Sequence, residues 1–244
     1  SWTYYSALAE GSNRFQVHAE DAVGNPSGVS SITITLDTIP PDAPVITTDG
    51  GNGPGVDFAT REPALLLEGT CDPTTQVLRV NGSADGVDYS PGDADWTCPL
   101  TLAEGENEMS VQATDAVGHT SGTTTIVVRL DTTAPQLVAA AAADAETVRV
   151  VFSEAMAVTP ALTDPLSYRL VRGAQMVGVV SVARVGESGC ELTVQPLAPG
   201  AYVLTVPGPG IEDLVGNAID PMHDTAEFTR LDHADVNGDG KVDA

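Results

Sequence analysis

Residues 1–41, SWTYYSALAEGSNRFQVHAEDAVGNPSGVSSITITLDTIPP, align without a gap to residues 95–135, DWTCPLTLAEGENEMSVQATDAVGHTSGTTTIVVRLDTTAP. The offset is 94 residues throughout: Trp2 meets Trp96, Gly11 meets Gly105, Asp21 meets Asp115 and Asp37 meets Asp131. Copies this similar must fold alike, and their period sets the size of the folding unit. This period suits a β-sandwich module and is too long for a helical solenoid. RFQVHAED and EMSVQATD alternate apolar and polar side chains, which predicts strands with one buried face. AVGN and AVGH supply the turn, with glycine where a positive φ is needed. SITITLD and TIVVRLD form the closing strand. TIPPDAP and TTAP then read as stiff linkers, because proline fixes its own φ and restricts the residue before it.

The first copy lacks a front half, and a piece of about 40 residues cannot bury a proper core alone. The chain therefore reads as a segment of a longer multimodular protein. Residues 1–41 are the C-terminal part of one module, 42–131 a complete module, 132–231 a second complete module and 232–244 a truncated tail. In the middle module the predicted strands are APVITT, ALLLEGT, QVLRVNG, DWTCPLTL, NEMSVQAT and TTTIVVRL. In the next they are TVRVVFS, LSYRLV, VGVVSVARV, CELTVQPL, GAYVLTVP and AEFTRL. Two successive sandwiches of this size fit immunoglobulin-like domains, so the expected fold class is all-β, with tandem sandwiches.

Composition agrees. Aromatics are 5% of residues against 24 glycines and 17 prolines, while hydrophobic residues at 42% suffice for packed cores. The formal charge of −24 repels phosphate backbones and anionic lipid, which argues against nucleic-acid and membrane-surface partners. No apolar run reaches the roughly 20 residues of a membrane span. The start, SWTYYSALAEG, has neither the basic nor the apolar region of a signal peptide, as expected of a mature fragment.

DAVGN…ITITLDTIPPDAP and DAVGH…IVVRLDTTAP resemble bacterial immunoglobulin-like repeats of secreted and surface-attached proteins. LEGTC…VLRVNG…DWTCPLTLAEGENEMSVQATDAVGH extends that resemblance across the middle module. VRVVFSEAM…LTDPLSYRL…IEDLVGNAIDP is similar to another bacterial immunoglobulin-like class, marked by its FSEAM turn. ADVNGDGKVDA resembles the first loop of a dockerin-type repeat, a relative of the EF-hand. These resemblances imply a fold more than a function, since such modules carry many unrelated tasks.

Calcium is the expected cofactor. A calcium loop draws ligands from positions 1, 3, 5, 7, 9 and 12, with glycine at 6. Here those positions are Asp235, Asn237, Asp239, the Lys241 backbone, Asp243 and a residue beyond Ala244. In a dockerin this repeat would grip a cohesin domain. The module junctions are a second candidate. Asp21 sits beside a glycine turn and Asp37 at the exit to the proline linker, and Asp115 and Asp131 repeat the arrangement. Such pairs, next to a neighbour's first loop, could chelate calcium and stiffen the joint, as in related surface repeats. The plainer reading, that Asp21 and Asp115 cap turns through Asx hydrogen bonds, is the favoured one.

Cys71 and Cys98 lie in one module, and pairing them would close a loop worth about 3.6 kcal/mol on the chain-entropy estimate. A secreted acidic sandwich favours that disulfide. Cys190 is left over as a buried small hydrophobe, and no paired CxxC or histidine spacing suggests zinc. His18, His119, His223 and His233 are scattered, and no nucleophile elbow, HExxH or phosphate loop appears, so the chain is read as non-enzymatic. A glycosidase-like carboxylate pair has no support beyond the abundance of acids, and Glu154 in FSEAM is read as a turn-stabilising residue. Trp2 and Trp96 hold equivalent strand positions, which points to core packing. Tyr4 and Tyr5 become Cys98 and Pro99, so no aromatic platform for sugars recurs.

The expected function is a non-catalytic spacer or adhesion stalk in a secreted or cell-surface bacterial protein. Its partners are neighbouring modules of the parent chain, and another protein through the tail or an exposed strand edge. The alternative is an ancillary region, of which carbohydrate binding is one role, of a secreted carbohydrate-active enzyme or protease with a dockerin-type assembly tail.

Overall fold

A computed structural model describes residues 1–208 and 210–231. The chain divides into two compact units. The first comprises residues 1–58, 64–102 and 106–128, and the second 59–63, 103–105 and everything from Arg129. The fold is all-β, built mainly from antiparallel strand pairs.

The chain opens with β1 (Gly11–Val17) and β2 (Ser30–Leu36), which pair by themselves, Gly11 opposite Leu36 and Phe15 opposite Ile32. Then follow β3 (Val45–Ile46), β4 (Phe58–Thr60), β5 (Ala64–Thr70), β6 (Val77–Val80), β7 (Asp95–Thr101), β8 (Gly105–Thr114) and β9 (Thr124–Leu130). They form two sheets, ordered β3-β5-β7 and β4-β9-β8-β6. From β3 to β8 successive strands alternate between the sheets, and β9 returns beside β8, the Greek-key connectivity of an immunoglobulin-like sandwich. The alternation in β8 buries Met109, Val111 and Ala113, and that in β9 buries Ile126, Val128 and Leu130. At Gly69 the strand opposite leaves no room for a side chain. A Cβ there would lie 2.5 Å from the Trp96 ring and 2.0 Å from the Val45 carbonyl oxygen.

The second unit holds β10 (Leu137–Ala142), β11 (Thr147–Phe152), β12 (Arg169–Arg172), β13 (Gln175–Val177), β14 (Val179–Val185), β15 (Gly189–Val194), β16 (Gly200–Thr205) and β17 (Thr225–Arg230). Its sheets run β10-β11-β15-β14 and β13-β12-β16-β17. This is the four-on-three immunoglobulin order with one added edge strand. Val148, Val150, Leu170, Leu192, Tyr202 and Leu204 are among the side chains of one continuous core. Near the start of β16, Tyr202 donates to the Ala198 carbonyl oxygen at 2.6 Å. That bond ties down the turn between β15 and β16 as a tyrosine corner. The Tyr202 ring stacks on Phe228 with centroids 5.4 Å apart.

Several expectations need correction. The Cys71–Cys98 bond is not formed, and all three thiols are free. Leu67 stands opposite Cys98, and Thr70 opposite Asp95. Cys71 therefore lies four residues along the strand pair from Cys98, roughly 13 Å at the usual rise. A disulfide needs Cα atoms within about 7 Å. Cys190 is buried as expected, within 3.7 Å of the Tyr168 hydroxyl. Trp96 is core, only 1% exposed, but its counterpart Trp2 is 72% exposed. Strand β10 was not anticipated, nor was β4, and the run VGVVSVARV is split between the end of β13 and β14.

Candidate functional site

One loop is built three times. In EDAVGN (20–25), TDAVGH (114–119) and EDLVGN (212–217), the aspartate carboxylate folds back over the next four residues. The Asp21 Oδ1 accepts from Val23 N at 3.0 Å and Asn25 N at 2.9 Å, and its Oδ2 accepts from Asn25 Nδ2 at 2.8 Å. The Asp213 Oδ1 accepts from Val215 N at 2.9 Å and Asn217 N at 2.8 Å, and its Oδ2 from Asn217 Nδ2 at 2.8 Å. At Asp115 the Oδ1 accepts from the backbone of Val117, Gly118 and His119, and the Oδ2 lies 2.8 Å from His119 Nδ1. Each turn has a glycine at positive φ, +90° at Gly24, +102° at Gly118 and +90° at Gly216. Each also closes with a bridge between its flanks, Glu20 to Pro26, Thr114 to Thr120 and Glu212 to Ala218. The Asx reading of Asp21 and Asp115 is thus what the geometry shows.

These loops also collect other acids, in a pairing that differs from the expected one. The calcium alternative to the Asx reading pairs Asp21 with Asp37, and Asp115 with Asp131. Instead, Asp37 is grouped with Asp115 and His119 in the first unit, and Asp131 with Glu154 and Asp213 in the second. In each group the candidate ligand atoms lie within 4.8 Å of one another. Asp21 belongs to neither group among the described residues. The exit aspartates are positioned alike. Thr38 and Thr132, the next residues, each donate a hydroxyl at 2.7 Å to a glutamate, Glu10 and Glu104 respectively. The Asp37 and Asp131 Oδ1 atoms each accept from the backbone two residues on, at 3.2 Å.

The two groups differ chemically. In the first, His119 closes on Asp115 as a salt bridge or hydrogen bond, and a nitrogen donor suits calcium poorly. Burial pushes the Asp115 carboxyl up, but the donors from His119, Gly118 and Val117 together outweigh it and hold the group below the usual carboxylate range. In the second group all three candidate ligands are carboxylates, and Asp213 is only 2% exposed. Asn217 links the loop to the exit strand by donating to the Asp131 carbonyl oxygen at 2.8 Å. Arg129 partly offsets the charge through a 3.3 Å contact with Asp131. Glu154 is nevertheless pushed up, first by burial and then by the charges of Asp131 and Asp213.

A calcium ion bonded at 2.3–2.6 Å would set oxygens on its opposite sides about 5 Å apart. The spacing of the Asp131, Glu154 and Asp213 oxygens fits that shell, and hard oxygen donors fit the ion. The tail ligands Asp235, Asn237, Asp239, Lys241 and Asp243 lie outside the described residues. Asp213 was not singled out from sequence, although EDLVGN repeats EDAVGN with one substitution.

No family model matches the chain, and no curated protein does. Solved structures similar to it include the N-terminal part of the bacterial S-layer protein SbsC, at 18% identity and a TM-score of 0.36. That match covers 41% of this chain, which spans 24% of the S-layer chain. Domains A168–A170 of titin align at 12% identity over 85% of this chain and 71% of theirs, with a TM-score of 0.40. The D00-D0 domain of intimin aligns at 11% identity over 68% of this chain and 96% of its own, with a TM-score of 0.34. No helix among the described residues is long and apolar enough to cross a membrane.

Proposed function

We propose that this chain is a non-catalytic spacer or adhesion-stalk segment of a secreted or cell-surface bacterial protein, with calcium held by Asp131, Glu154 and Asp213. The carboxylate group itself carries the reading: three acids from separate parts of the second unit meet with oxygen spacing suited to a hard cation. Without a cation their charges oppose one another, and a divalent ion would turn that repulsion into a crosslink. The repeated loop supports a scaffold role, because its hydrogen bonds position backbone rather than any group poised for catalysis. Calcium binding to the folded state would stabilise it by about 2.7 kcal/mol at a hundredfold excess over Kd.

Calorimetric melting with calcium or with a chelator tests this. The background is Asp235→Ala plus Asp239→Ala, so that the acidic tail does not contribute. Calcium should raise the transition of the second unit, magnesium should raise it less, and Glu154→Gln should remove most of the difference. A melting profile indifferent to calcium in that background would overturn the cation site.

A further inference from the structure

Among the described residues, the group of Asp37, Asp115 and His119 is the metal-sized cluster that contains a nitrogen donor. The three copies of the loop isolate what that nitrogen adds. The residue closing the loop is Asn25 in the first copy, His119 in the second and Asn217 in the third. Asn25 and Asn217 each donate Nδ2 to the Oδ2 of their aspartate at 2.8 Å. His119 keeps that contact, its Nδ1 lying 2.8 Å from the Asp115 Oδ2. An amide already closes the turn, so closure does not account for an imidazole. The ring adds a basic lone pair, which an amide nitrogen lacks. Its setting suits a ligand. The Asp115 side chain is 2% exposed and fixed by three backbone donors, whereas that of His119 is 36% exposed and reachable from solvent. Asp37, just past β2, brings a second carboxylate to the same place.

We propose that Asp37, Asp115 and His119 bind a borderline transition cation, with zinc as the type ion, at a site chemically distinct from the all-carboxylate group of the second unit. Zinc and its neighbours accept mixed imidazole and carboxylate sets, whereas calcium takes oxygen. Zinc bonds nitrogen and oxygen at about 2.0–2.2 Å, which sets ligand atoms roughly 3.3 Å apart in a tetrahedron. The 2.8 Å between Nδ1 and the Asp115 Oδ2 is already that close, and the whole set lies within 4.8 Å. Turning the more exposed Asp37 and His119 side chains supplies the remaining contraction, while buried Asp115 stays in place. The ion replaces the proton that lies between Nδ1 and Oδ2, and water completes its shell. The sequence shows no zinc spacing because one carboxylate comes from the exit of β2, far from the loop along the chain.

The test titrates the full chain with zinc chloride in the Asp235→Ala plus Asp239→Ala background. Calorimetry gives affinity, and histidine ring NMR gives location. The site predicts saturable binding of one zinc ion below about 100 µM, with the His119 ring signals moving more than those of the other histidines. Calcium at the same concentration should leave those signals in place. His119→Asn should weaken zinc binding roughly tenfold or more. The loop accommodates that residue, as Asn25 and Asn217 show. Asp37→Asn keeps an Oδ1 acceptor for the Ile39 N–H and should weaken zinc binding as well. Affinity unchanged by either substitution, absence of saturation in that range, or an equal response of the His119 ring to calcium would overturn the site. Glu154→Gln, which disables the proposed calcium group, should leave zinc affinity unaltered. A loss there would also count against the site, so the two readings fail separately.

Discussion

Asp220 is held in its charged form by His223, whose Nδ1 lies 2.5 Å from Oδ2, and by the Met222 backbone N–H at 2.9 Å. Those donors, His223 foremost, lower its pKa from the ordinary 3.8. A depressed carboxyl adds stability that is complete above its ordinary pKa and is lost as pH falls through the folded value. Asp220→Asn should therefore lower the melting temperature near neutrality and converge on the parent chain as pH falls well below 3.8, as read from thermal melts across the acid range. Partnerships at this scale were unevenly legible in the sequence. The Asx aspartates were readable because an acid three residues before glycine in DAVGN has a known local use. The groups around Asp115 and Asp213 were not, because they join residues far apart in the chain, and only the fold decides which exit aspartate meets which loop. Cys71 and Cys98 failed for a related reason: sequence supplies their spacing, whereas the strand register decides their separation.

At the scale of elements, the repeat made β8 and β9 readable, and their alternation was enough to place the buried face. Strand β10 escaped because its LVAAAA sequence offers little contrast between faces and alanine has poor strand propensity. Pairing with β11, across a bulge near Val138, imposes the strand regardless. Trp2 was misjudged because burial depends on the strands that face a residue, and among the described residues only β1 and β2 pair in that region, which leaves Trp2 exposed. The loops give a direct test of backbone strain. Gly118 sits at φ +102° with nothing within 4 Å of where a Cβ would stand. Gly118→Ala should thus incur conformational strain without a clash, about 1–2 kcal/mol. Urea unfolding should show the loss as a lower midpoint with an unchanged slope.

For the whole molecule, stability rests on apolar burial and on tied turns, against the self-repulsion of a chain at −24. No covalent crosslink joins its strands, since Cys71, Cys98 and Cys190 are all free. Cys98 and Cys190 are sealed in their cores, and burial pushes both thiols up, away from the reactive thiolate. Melting temperatures measured with and without dithiothreitol should therefore agree, and a fall on reduction would reveal a bridge. Sandwiches that depend on an internal disulfide must mature where oxidants are supplied. With all three thiols free, the described fold contains no bond for glutathione to reduce or for an oxidase to form.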